Sequence, residues 1–248
     1  MKKKYFNIYL EFDKEEINRI ISDAIISGAP AYVCAVDSNS LVNANENSEH
    51  LEALNNSLTN LSDSAWIPLL INRIYHTNYH NYTGADLFIK WVQSCNLRHF
   101  FLGSKPDILE GLKDNLLKIN SSITDMQFEA LPFKDVENFD YLQIAKMINE
   151  DKPDIIWVSL GAPKQEQFMN RLNPYLNKGV MIGIGAVFKF YSDKSAINRS
   201  PRWIINLKLE WLYRISQEPR RMFRRYGHIF LSLPKLIINE IKIRNSLK

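Results

Sequence analysis

The sequence predicts an α/β protein, Rossmann-like, with a mainly parallel sheet, helices on both faces and a helical appendage at the C-terminus. Three observations predict it. Between residues 83 and 185, short apolar runs alternate with helical patterns of about ten residues, the mark of parallel strands joined by crossover helices. Glycines follow three of those runs, at Gly103, Gly161 and Gly185. After Pro201 only helical periodicity remains.

Residues 5–11 have β-rich composition. Asp13-Lys14-Glu15-Glu16 is a D-x-x-E capping box opening an amphipathic helix to about residue 26, which Gly28-Ala29-Pro30 ends. Ala31–Val36 is a short apolar run, read as a buried strand. Helices are expected over 45–55 and 65–74, then one after Thr83-Gly84-Ala85-Asp86. Strands are expected over 99–102, 126–130, 154–160 and 179–184, with helices over 106–119, 141–149 and 164–172 between them. In the tail, Ile204, Leu207, Trp211 and Ile215 form one apolar stripe. Pro219 starts a second helix with Met222, Phe223, Tyr226, Ile229 and Phe230 as its apolar residues. The expected division is a catalytic domain over 1–198 and a basic appendage over 199–248.

A chain of 248 residues with 46% hydrophobic and 12% aromatic residues has ample core, which excludes global disorder. Two cysteines, Cys34 and Cys95, make no disulfide framework and fit a reducing compartment. The N-terminus lacks the apolar core of a secretory signal, and no stretch reaches the roughly 18–20 apolar residues of a membrane span. The net charge of +4 is divided unevenly. Residues 199–248 hold twelve basic and three acidic side chains, +9, which leaves −5 on residues 1–198. Such a tail suits an anionic partner: nucleic acid, a phospholipid surface or a phosphorylated substrate. Aromatics interleave with its arginines as in a single-strand binder, but they fall on the apolar stripes, where packing explains them. No nucleic-acid partner is therefore expected.

Several chemistries lack their motifs. There is no GxGxxG, no Walker A, no G-x-S-x-G and no D-x-D, and the five histidines show no zinc spacing. No metal site and no cofactor are expected. In an open α/β sheet, ligands bind where the strands end. That points to Gly103-Ser104, Gly161 and Gly185, each of which also reads as a plain tight turn.

Thr83-Gly84-Ala85-Asp86-Leu87-Phe88, Leu160-Gly161-Ala162-Pro163-Lys164-Gln165-Glu166, Arg199-Ser200-Pro201, Leu209-Glu210-Trp211-Leu212-Tyr213-Arg214 and Gln217-Glu218-Pro219-Arg220-Arg221 together resemble the strings of the WecG/TagA/CpsF family of bacterial glycosyltransferases. The resemblance implies an inverting, metal-independent enzyme. It would move a sugar from a UDP-sugar to a saccharide on undecaprenyl diphosphate at the cytoplasmic membrane face, in teichoic acid, capsule, exopolysaccharide or common-antigen synthesis. Resembling proteins are commonly dimers or larger rings, so a homo-oligomer is also implied.

By the same resemblance, Asp63 in Asp63-Ser64 matches the family's proposed base, although Asp also suits an N-cap for the helix at 65–74. Gln165 matches the family's polar residue of the catalytic site, where it would hold the acceptor or the transferring sugar. Asp37, Thr83, Gly84, Asp86, Gly103, Ser104, Gly161, Lys164, Glu166 and Gly185 are expected around the substrate, and Asp86 also reads as a helix-start residue. Arg199, Arg202, Arg214, Arg221, Arg224 and Arg225 are expected to face the acceptor diphosphate or the membrane. Four departures from the family pattern bear on the donor: Ala35-Val36-Asp37 for Thr-x-Asn, Ser64 for Gly, Lys189 for Asp after Phe188, and Lys208 for Gly. Lys189 suits a carboxylate or phosphate, or is simply solvated. A catalytically silent sugar-nucleotide or lipid-phosphate binder is the other reading.

Overall fold

The protein is described from a computed structural model covering residues 3–195, 199–207 and 209–246, with the side chains of Arg202 and Asn206 left aside. The Lys208 departure and the Arg202 side chain thus lie outside the described residues.

Six strands form one parallel sheet in the order β4-β3-β8-β7-β5-β6: β3 (Ala31–Val36), β4 (Thr59–Ser62), β5 (His99–Gly103), β6 (Gln127–Glu129), β7 (Ile155–Ser159) and β8 (Val180–Gly183). Strand alternation divides the core into two layers. Tyr32, Cys34, Val36, Phe100, Leu102, Ile156, Val158 and Met181 face one side, with α2 (Ser38–Glu46), α3 (Ser48–Asn55), α4 (Trp66–Tyr75), α7 (Tyr141–Asp151) and α8 (Lys164–Leu172). Val33, Phe101, Ile155, Trp157, Val180 and Ile182 face the other, with α1 (Lys14–Ser27), α5 (Gly84–Val92), α6 (Pro106–Leu117) and α9 (Val187–Phe190). The predicted fold class holds.

Local departures have local causes. The β-rich start is a hairpin of its own, β1 (Lys4–Tyr5) and β2 (Ile8–Tyr9), turning through Phe6 and Asn7 at positive φ. Asp13 caps α1, accepting from the N–H groups of Glu15 and Glu16. Its own N–H is taken by Glu11 at 3.0 Å rather than by Glu16, which pairs with Arg19. The single helix expected over 45–55 is two, because the Asn47 side chain caps α3 and ends α2. The Ser/Asn-rich sequence of α2 hides a helix held by the Asp37 cap and by burial of Leu41, Val42 and Ala44. Strand β4 was not expected either. Its polar TNLS is wholly buried, and Asn60 donates to the Tyr9 and Leu54 carbonyls.

The tail also differs. The single stripe expected from Ile204 to Ile215 is split between α10 (Arg202–Asn206) and α11 (Glu210–Gln217), with Leu207 exposed in the turn between them. Helix α12 (Pro219–Ser246) then runs along the body through Pro234. Two carboxylates of the body hold it, and one of its own reaches back. Asp37 pairs with Arg225, and Glu46 with His228 and Ser232. Glu240, buried, accepts from the Phe6 N–H at 2.9 Å and the Tyr75 hydroxyl at 2.7 Å. Among its expected interface residues, Phe223 and Phe230 are exposed, but Ile229 is buried and Tyr226 packs against Trp211. Leu231, Ile238 and Ile241 complete the exposed apolar side. No described helix is long and apolar enough to cross a membrane.

Candidate active site

A cavity of about 530 Å³ opens at the carboxyl ends of the sheet, walled by the loops after β3, β4, β5, β7 and β8 and roofed by α10–α12. This is where a doubly wound sheet places its ligands, since the helices around it leave the strand ends free. The cavity gathers Asp37, Asp63, Thr83, Ser104, Gly161, Lys164, Gln165, Glu166, Gly185, Arg199, Arg214, Arg221 and Arg225, residues that span nearly two hundred positions of sequence. Gly84, Asp86, Gly103 and Arg224 stand behind or outside the lining, and Arg224 is an exposed side chain of α12.

Asp63 follows β4 directly, with its N–H donating to the Val36 carbonyl at 2.8 Å. Its Oδ1 accepts the Gly84 N–H at 2.7 Å. The N-cap alternative does not apply: the N-cap of α4 is Ala65, with no side-chain bond, and the Ser64 hydroxyl accepts from Trp66. Burial pushes the Asp63 carboxyl up to about 6, with the Asp37 and Glu210 carboxylates adding to it. The Gly84 N–H and Arg214 work against that rise. A carboxyl poised there is ionised at neutral pH yet basic enough to accept a proton.

The other acids are engaged. Asp37 caps α2 through Oδ1, accepting from Ser40 at 2.9 Å. Burial opposes its charge, but Arg225 and the Ser40 and Asn39 N–H groups hold it below the usual carboxylate range. Asp86 accepts from Thr83 and pairs with Arg199 at 2.5 Å, so it is both a helix-start residue and an anchor for the tail. Glu210, in the roof, was not singled out from sequence; it lies within the Leu-Glu-Trp string, and burial raises its carboxyl.

Gln165 ties two loops together. Its Oε1 accepts from Gly185 at 3.0 Å and Leu160 at 3.3 Å. A Cβ at Gly183 would come within 2.5 Å of Gln165 Nε2 and 2.7 Å of Met169 Cε, so a larger residue there would push both side chains aside and disturb the Gln165 carboxamide. Gly103, at φ 101°, similarly brings the β5 end against the Ser159 carbonyl, and Ser104 donates to that carbonyl at 3.1 Å.

Cations dominate the roof and the outer wall. Arg221 pairs with Glu218, while the Arg214 guanidinium sits 4.5 Å from the Phe190 ring centroid. Lys164 donates to the Lys134 carbonyl and lies over the Phe133 and Phe139 rings. Lys189 lines the cavity with no ion-pair partner among the described residues. Those residues also hold no group of three His, Cys, Asp or Glu placed to bind a metal ion.

The cleft thus sets a carboxyl raised by burial against several cations at the ends of a parallel sheet, where an α/β fold binds its ligands. The comparisons supply the class of protein. The sequence model of the glycosyl transferase WecG/TagA/CpsF family matches residues 6–246, and the chain belongs to that family. It is 28% identical over 197 residues to a Bacillus subtilis (strain 168) protein, covering 78% of this chain and 72% of that one. A Staphylococcus aureus (strain MW2) protein is 24% identical over 178 residues, 71% of this chain and 67% of the relative. Both are named N-acetylglucosaminyldiphosphoundecaprenol N-acetyl-beta-D-mannosaminyltransferase.

Proposed function

We propose that this protein is an inverting glycosyltransferase moving an N-acetylmannosamine-type or related hexose from a UDP-sugar to a saccharide on undecaprenyl diphosphate, in the synthesis of a bacterial surface polysaccharide. The raised carboxyl of Asp63, opposite the arginines of the tail, carries the reading. In this scheme Asp63 takes the proton of the acceptor hydroxyl as its oxygen attacks the anomeric carbon from the face opposite the diphosphate. The bond from that carbon to the diphosphate oxygen breaks, and UDP departs with the electron pair. Configuration inverts because attack and departure occupy opposite faces. Arg214 and Arg221 offer charge to the acceptor's diphosphate, whose oxygens suit the planar donor fork of arginine, and Lys189 offers charge to a phosphate of the donor. Thr83, Ser104 and the loops at Gly161 and Gly185 are the proposed donor contacts.

The test is turnover of UDP-sugars on a lipid-diphosphate-linked N-acetylglucosamine acceptor, preceded by a thermal-shift screen for the donor. A protein that is stabilised by UDP-sugar but transfers nothing is a binder, and the enzyme reading fails. With cations in place of a metal device, turnover is expected to survive EDTA. Strict dependence on Mg²⁺ or Mn²⁺ would contradict this part of the proposal.

The pH profile follows from Asp63. A base acts when deprotonated, so kcat/KM should fall as pH drops through about 6, where this carboxyl takes up its proton. An acid limb unchanged in position in an active Asp63 variant would assign it to another group.

The tail is proposed to bring the enzyme to the inner face of the membrane. Basic residues near an anionic surface contribute about 1 kcal/mol each, and Phe223, Phe230, Leu231, Ile238 and Ile241 offer apolar area on the side of α12 turned away from the body. Phe223→Ser with Phe230→Ser should weaken sedimentation with anionic liposomes by at least ~10-fold. Equal binding by the double variant would exclude this face.

A further inference from the structure

Behind Gln165 and Glu166 of the cavity lining lies a polar cluster, centred on His50, to which the transfer scheme gives no role. The side chains of His50 and Glu166 are both completely buried. His50 Nε2 lies 3.2 Å from the Ser40 hydroxyl oxygen and 3.6 Å from Glu166 Oε2, while Gln165 Nε2 approaches Glu166 Oε1 at 3.4 Å. A carboxylate taken fully out of water is strongly unfavourable without donors around it. Among the described residues, the basic side chain beside Glu166 is His50, whose Nε2 stands 3.6 Å from Oε2, a contact just beyond hydrogen-bond length. Among the same residues neither Glu166 Oε2 nor His50 Nδ1 meets a hydrogen-bond partner. An unmatched lone pair there costs less than a buried free N–H, which places the ring proton on Nε2, toward Ser40 and Glu166. The ring is set in place from behind, because the His50 backbone N–H is capped by Asn47 at 3.0 Å in the first turn of α3.

We infer that His50 is a positioning residue: it holds Glu166, Glu166 orients the Gln165 carboxamide, and Gln165 fixes the two loops that floor the cavity. A carboxamide can rotate by half a turn at little steric expense, exchanging its oxygen and nitrogen. Here the exchange would turn an NH₂ onto the N–H groups of Gly185 and Leu160, both of which now donate to Oε1. The acceptor oxygen of Glu166 on the other side selects the observed orientation. The neighbours of the pair on the adjoining strand are Tyr32 and Cys34, both shifted upward by burial and by the charge of Glu166. Neither supplies a competing cation. From Ser40 the network continues outward, since its N–H donates to Asp37, whose other oxygen holds Arg225 of the roof.

The inference rests on the transfer reading for its kinetic arm only. In the full chain, His50→Phe should lower kcat by roughly 10- to 100-fold, the weight of one charge-assisted hydrogen bond, with KM for the UDP-sugar little changed. His50→Gln, which returns an N–H, should recover most of the loss. Because His50 acts through Gln165, the His50→Phe, Gln165→Ala double variant should be no slower than Gln165→Ala alone. Losses that multiply, or wild-type kcat in His50→Phe, overturn the assignment.

A second arm needs no substrate. The Gln165 side-chain NH₂ signal in ¹⁵N-labelled protein, assigned with Gln165→Ala, should move and lose exchange protection in His50→Phe and return in His50→Gln. An unmoved signal rejects the positioning role even if transfer proves real, and a moved and restored signal upholds it even if no donor is ever turned over. If His50→Phe does not fold, Ser40→Ala removes the other support of the ring, and the same displacement of the Gln165 signal is required.

Discussion

Asp63→Asn is expected to lower kcat by roughly 10²- to 10⁴-fold, the usual contribution of a positioned general base, while UDP still stabilises the folded protein. The amide keeps the shape of the carboxyl and can still accept the Gly84 N–H that Oδ1 accepts now. Proton acceptance and the buried negative charge are lost. The same variant carries a second signature. In the folded protein the Asp63 carboxyl titrates at about 6, above the ordinary carboxylate range of the unfolded chain. Ionising it therefore opposes folding above pH 6, and the penalty fades as pH falls toward 4. At about 1.4 kcal/mol per pKa unit, Asp63→Asn should be more stable than wild type near pH 7.5 by up to about 3 kcal/mol, with the two converging in acid. Denaturation at both pH values, alongside turnover, checks the pair of effects. A variant that turns over at the wild-type rate removes Asp63 from the mechanism.

Arg214→Met with Arg221→Met is expected to reduce kcat/KM for the lipid-linked acceptor by ~10²- to 10⁴-fold, since each hydrogen bond between charged groups contributes about 1.5–3 kcal/mol. Methionine keeps much of the apolar stem, so packing over Phe190 is largely retained while charge is removed. Removing Arg214 also takes away a cation that lowers the Asp63 carboxyl, and the acid limb of the rate profile should move upward in pH. Full activity in the double variant would remove these guanidiniums from acceptor binding, and a limb that stays in place would remove Arg214 from control of the Asp63 carboxyl.

The sheet was legible because β3, β5, β7 and β8 are apolar runs buried on both faces, a pattern that periodicity reads directly. Strand β4 and helix α2 were not. Their Thr, Asn and Ser residues carry no apolar signal, and they hold their places through side-chain bonds of Asn60 and Asp37 that exist only once distant segments have met. The site divides in the same way. Its loop residues were readable as strings of the family, and so was Asp63. The pairing of Asp37 with Arg225 joins positions 188 apart, and the His50–Glu166 contact depends on how α3 crosses α8. Neither leaves a trace in spacing. Glu210 sat in plain view inside the Leu-Glu-Trp string, but nothing in the string places its carboxyl near Asp63.

The bond from the Phe6 N–H to Glu240 has a consequence for how the chain is made. Its two ends are 234 residues apart, so the hairpin turn leaves the ribosome long before its acceptor. Throughout elongation the α/β body can assemble, but the N-terminal turn, the Tyr75 hydroxyl and the second oxygen of Asp37 all await α12. A polypeptide broken off before α12 would leave those groups uncovered on one flank, a polar seam that cellular proteases can attack.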